Sequence, residues 1–110
     1  MFEETILRKL IVNADDFGFN QDVTDGILEC HKNGCVTSTT LMTHMPAAEY
    51  AAERSKSYPE LSVGIHFSIN TGRPLSAPEK IPSLVDSQGN FNPPLKLSDL
   101  PSVASCLLQR

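Results

Sequence analysis

The sequence predicts an α/β fold that begins β-α-β-α-β, with parallel strands and helices packed on the sheet, followed by a proline-rich region of loops. Three observations carry this reading. Short apolar or β-branched runs alternate with segments of helical periodicity. Each connection is long enough for the helical crossover that parallel pairing requires. Six of the eight prolines (Pro74, Pro78, Pro82, Pro93, Pro94 and Pro101) lie beyond Arg73, where regular structure should give out.

The first strand is expected over residues 8–14, RKLIVNA, whose centre Ile11-Val12 suits a strand buried on both faces. A polar turn from Asp15 to Gln21 leads into VTDGILECHKN, where Val23, Ile27 and His31 recur every fourth residue beside Leu28. Asp22 is placed to cap this helix and Gly34 to stop it. The β-branched run 36–42, VTSTTLM, reads as the second strand. Pro46 can open a second helix through Tyr58, and Pro59 blocks its continuation. Residues 61–67, LSVGIHF, supply the third strand, and DSQGN at 86–90 a hairpin-like turn. The segment 102–110 reads as the start of another helix. The whole is expected to form one partial domain, with a core over 8–72 and proline-rich loops and short elements over 73–110.

Composition narrows the function. The 110 residues carry 9 Lys+Arg against 13 Asp+Glu, a net charge of −4, which speaks against a nucleic-acid partner. No apolar run is long enough to span a membrane, and the first 20 residues lack the pattern of a secretory signal. Three cysteines, Cys30, Cys35 and Cys106, are an odd count that points to reduced thiols in a cytoplasmic setting. Cys30, His31 and Cys35 invite a zinc reading, but no second ligand pair follows, and filling the helix end and its turn is the simpler role.

In parallel α/β folds, chemistry gathers at the carboxyl ends of the strands. Here the first end delivers Asp15 and Asp16, the second His44 and the third His66. Singly, each has an ordinary explanation: turn-forming carboxylates, a loop histidine, a hydrogen-bonded structural histidine. Together, a carboxylate and an imidazole at converging strand ends make part of a divalent-metal site, which usually wants three protein ligands. Neighbouring strand residues point to opposite sides, so one aspartate is expected to ligate while the other addresses a water.

LIVNADDFG at 10–18 resembles the opening signature of the YdjC/ChbG-like carbohydrate deacetylases. The similarity continues through GILE (26–29), VTSTTLM (36–42), VGIH (63–66), GRPLS (72–76) and SLVDSQGNF (83–91), in the family's order. The resemblance implies a distorted (β/α) barrel, incomplete in this chain, and removal of acetyl groups from N-acetylated sugars such as chitooligosaccharides with a divalent metal, Mg²⁺ first and Zn²⁺ as the alternative. By position, Asp15 is similar to the family's general base, Asp16 to its carboxylate metal ligand and His66 to its first metal-binding histidine. The family's later Asp-Ser-His type motif, which holds its next histidine, has no counterpart before Arg110. Thr24 and His44 stand where the family often has Asn, which implies altered sugar contacts, and Asn70-Thr71 replaces the usual order after His66.

Two other readings compete with a metal-dependent deacetylase. One is a truncated, inactive half-domain with at most a binding role, whose exposed strand edges would favour self-association, for instance as a homodimer. The other is a phosphoacceptor receiver domain, which needs an aspartate where this chain has His66. The deacetylase reading requires Asp16 and His66 to come within reach of a single cation.

Overall fold

The computed structural model describes residues 8–94. Its elements run β1 (Asn13–Phe17), α1 (Gln21–Lys32), β2 (Ser38–Leu41), α2 (Ala48–Ser55), β3 (Ser62–Ile65) and a 3₁₀ turn at Pro78–Lys80. The three strands form one open parallel sheet in the order β1-β2-β3, as expected of an incomplete (β/α) barrel. The segment 102–110, read as an incipient helix, lies outside the described residues. Among those described, no helix is long and apolar enough to cross a membrane.

The first strand starts later than its apolar run suggests. Asn13 pairs with Ser38, so residues 8–11 run past the end of β2, alongside the turn that follows α1. Without a strand to pair with, Leu10 and Ile11 stay exposed instead of buried on both faces. Val12 makes the first contacts: its amide donates to Thr37 Oγ1 at 2.9 Å and its carbonyl accepts from Thr37 N at 2.9 Å.

Helix α1 is capped by Asn20, whose Oδ1 accepts from Val23 N at 2.8 Å, rather than by Asp22. The turn after β1 is tighter than expected, so the helix begins earlier and Asp22 falls in its first turn, where a carboxylate favours the positive end of the helix. At the other end Gly34 adopts φ +88°, the left-handed stop anticipated for it. Helix α2 begins at Ala48, after Pro46. Residues 42–47 are committed to successive turns, with Met45 N bonded to Met42 O and Ala47 N bonded to Gly18 O. Its tail tightens beyond Ser55, where Lys56, Ser57 and Tyr58 each donate to the carbonyl three residues back.

The core lies between the sheet and its two helices. Phe17, Ile27, Leu28, Val36, Ala51 and Leu61 form it, with Ala14, Val23, Leu41 and Tyr58 packed around them. Strand alternation then assigns the faces. Ala14, Thr39 and Leu41 face the helices, and Asn13, Asp15, Ser38 and Thr40 take the other side. That polar side carries the chemistry.

The chain divides into two compact units at Phe67/Ser68. In the second unit the expected turn at 86–90 is present. Val85 and Phe91 form an antiparallel bridge, and Asp86 Oδ1 accepts from Gln88 N at 2.9 Å and Asn90 N at 3.0 Å.

Candidate active site

A bulge in β1 builds the site. Ala14 pairs with Thr39 and Phe17 with Leu41, so β1 holds one more residue than β2 over this interval. The surplus is accommodated at Asp16, which takes φ +68°, a region aspartate enters more readily than most residues. The expectation that Asp15 and Asp16 would point to opposite sides therefore fails. It assumes a regular strand, and the bulge turns Asp16 onto the same side as Asp15.

Asp15 Oδ1 accepts from Asn13 Nδ2 at 2.8 Å and from Thr40 Oγ1 at 3.3 Å. Asn13 is itself held by Ser38 Oγ, which donates to its Oδ1 at 2.7 Å. His66 is delivered by one ladder bond past the end of β3, its amide donating to Leu41 O at 2.9 Å. Its Nδ1 lies 3.3 Å from Asp16 N, 3.5 Å from Asp16 Oδ1 and 3.5 Å from Thr40 Oγ1. With a lone pair on Nδ1 the ring accepts the Asp16 amide, and with a proton there it pairs with the Asp16 carboxylate. Thr40 thus touches both Asp15 and His66. Sequence reasoning missed Thr40, Asn13 and the bulge, and no local signal marks them, because each depends on the register between strands distant in sequence.

The donor chemistry fits a divalent cation. A carboxylate and an imidazole are ordinary ligands, and 3.5 Å between Oδ1 and Nδ1 suits two donors each about 2.1 Å from one ion. Among the described residues no three His, Cys, Asp or Glu side chains converge on one point; Asp16 and His66 meet as a pair of donors. The other candidates lie elsewhere. His44 is in the turn that follows β2. His31 packs edge-on against Tyr58, with Nδ1 2.8 Å from Val36 O. Thr24 is fully buried, where it accepts from Gly18 N at 3.1 Å and donates to Asn20 O at 2.8 Å. It supports the loop after β1.

The sequence model for the YdjC-like proteins matches residues 9–106. The chain belongs to the YdjC-like family. Its relatives within the family include a carbohydrate deacetylase of Geobacillus stearothermophilus, 57% identical over 84 residues, which are 76% of this chain and 33% of that protein. Another, from Thermoanaerobacter pseudethanolicus, is 47% identical over 85 residues, covering 77% of this chain and 34% of the relative. A crystal structure from Enterococcus faecalis V583, provisionally named a cellobiose-phosphate cleavage protein, superposes with a TM-score of 0.73 at 43% identity. The match covers 76% of this YdjC-like chain and 33% of that one. The chain thus spans about a third of the length of the relatives it matches.

Proposed function

We propose that this YdjC-like chain contributes the general base and part of the metal site of a carbohydrate deacetylase that removes acetyl groups from N-acetylated sugars or chitooligosaccharides. The observation that carries the reading is the bulge at Asp16, which sets its carboxylate 3.5 Å from His66 Nδ1 with Asp15 alongside. Backbone in a sparsely populated region persists where surrounding structure demands it, and such positions gather at functional sites. The names of the relatives support the reaction class, and the carboxylate–imidazole pair supports a divalent metal.

Asp16 and His66 would hold the cation, Mg²⁺ or Zn²⁺, which when bound polarises an amide carbonyl and acidifies a water. Asp15 acts as the base. Its Oδ1 already accepts two hydrogen bonds, so Oδ2 is the oxygen turned to take the proton as water attacks the acetyl carbon. Asn13 and Thr40 hold Oδ1 of that carboxylate. The C–N bond then breaks, and the products are acetate and the free sugar amine, whose nitrogen gains a proton equivalent to the one Asp15 takes from the water. The reaction needs no redox cofactor, and we place it in the cytoplasm.

Calorimetric titration with Mg²⁺ and with Zn²⁺, paired with acetate release from N-acetylated chitooligosaccharides, tests the assignment. Asp16→Ala should abolish metal binding. Asp15→Asn should retain it while acetate release falls by roughly 10²–10⁴-fold, the usual contribution of a general base. Metal affinity for Asp16→Ala equal to the parent's would remove the ligand role, and full turnover in Asp15→Asn would remove the base.

A further inference from the structure

The two cysteines at the junction of α1 and β2 stand apart from the site just described. Cys30 lies in the last turns of α1, which ends at Lys32. Gly34, at φ +88°, reverses the chain, and Cys35 folds back onto the helix end. Its amide and its thiol both donate to Cys30 O, each at 3.1 Å, and Val36 N approaches the same oxygen at 3.4 Å. In a continuing helix, residues five apart would diverge around the axis; the reversal at Gly34 brings this pair together. Cys35 is thereby the titratable neighbour of the Cys30 thiol. Chiefly through this neighbour, and further through partial desolvation and the charge of Glu29, the Cys30 thiol is raised above the ordinary cysteine range. Both side chains are exposed, unlike the buried cysteines that are chemically inert.

We propose that Cys30 and Cys35 form a reversible disulfide and are a modification site for low-molecular-weight disulfides such as oxidised glutathione. A zinc role fits less well, because the intervening His31 is engaged with Val36 O. In the first step a thiolate of the pair, its proton lost to solvent, attacks one sulfur of the oxidant. A protein–glutathione disulfide forms and one glutathione leaves as thiolate. In the second, the other cysteine attacks the protein sulfur of that mixed disulfide and displaces the second glutathione. The chain loses two hydrogens and two electrons, and the oxidant is reduced to two thiols. The new bond ties the end of α1 to the segment that enters β2.

The test is thiol counting and peptide mapping of the whole chain after incubation with oxidised glutathione. In Cys106→Ser, where Cys30 and Cys35 are the two thiols left, both should be consumed with no glutathione retained. Lys32 lies between the two cysteines, so trypsin separates them onto peptides 10–32 and 33–54. Those peptides should run as one linked species that dithiothreitol splits. In Cys30→Ser and Cys35→Ser, the remaining cysteine should hold glutathione as a stable adduct, since its resolving partner is gone. Separate glutathione adducts on both cysteines of the parent, or linkage of either to Cys106, would overturn the proposal. Repeating the mapping in Cys106→Ser removes the competing thiol, and failure to link there would overturn it equally.

Discussion

Asp16 is where the backbone departs from what the local sequence suggests, and its neighbours show what holds that departure in place. Gly18, two residues on, adopts φ +87°, and a Cβ there would meet Leu41 Cδ1 at 3.0 Å and the Ala48 backbone at 3.1 Å. Gly18→Ala should therefore cost roughly 1–3 kcal/mol from the backbone alone, and more from the contact with Ala48, in chemical denaturation. The amide of Gly18 depends on the buried Thr24 hydroxyl. Thr24→Val leaves that donor unsatisfied and should cost about 1–3 kcal/mol, whereas Thr24→Ser, which keeps the hydroxyl and loses a methyl, should cost about 1 kcal/mol. A greater loss in the serine variant than in the valine variant would show that the methyl, not the hydrogen bond, matters there. Asp15, Asp16 and His66 are legible in the sequence as residues at strand ends. That the two aspartates share a side is not, because it follows from the extra residue in β1.

At the scale of elements, the helices carry signals that sequence reads well, with ends displaced by tertiary contacts. The four-residue spacing of α1 and the stop at Gly34 are local properties, and both appear in the structure. The start of α2 is set instead by the turns of residues 42–47 and their bond to Gly18 O. The two helices are joined on their outer surfaces by Tyr50, whose hydroxyl donates to Asp25 at 2.8 Å, with Arg54 Nε 3.6 Å from the same carboxylate. The hydrogen bond to Asp25, with lesser desolvation and the negative charge of that residue, raises the Tyr50 phenol above its ordinary range. A group whose pKa is raised on folding stabilises while protonated, and that contribution is lost as pH rises through the folded value. Stability should thus decline on the alkaline side of the ordinary tyrosine range. Tyr50→Phe should be slightly less stable at neutral pH and show a shallower alkaline decline in thermal melts. Parallel profiles for parent and variant would remove Tyr50 as the cause.

For the first unit taken whole, the sheet is polar on one side and helix-covered on the other, but two helices do not cover three strands. Val63 and Ile65 lie in register with Thr39 and Leu41 on the helical side, yet they are 42% and 62% exposed. Apolar side chains on an edge strand favour association with another chain. Light scattering of the isolated chain should therefore show concentration-dependent association, and Ile65→Lys should shift it toward monomer, since a lysine on an edge opposes further pairing. Association unchanged by that substitution would place the contact elsewhere. The α/β class and the parallel order are legible because they rest on alternating runs and connection lengths. The exposure of Leu10 and Ile11 is not, because it depends on where β2 begins.

The sequence by itself determined the order of elements, the stop of α1 and the residues offered at each strand end, all of which depend on groups within a turn or two of one another. Only the tertiary structure decided that Asp16 swings beside His66, that Thr40 links it to Asp15 and that Cys35 rests on Cys30. In the first two cases the partners belong to strands brought side by side by the crossover helices. In the third, a chain reversal the sequence signals only as a helix stop sets the Cys35 thiol on the Cys30 carbonyl.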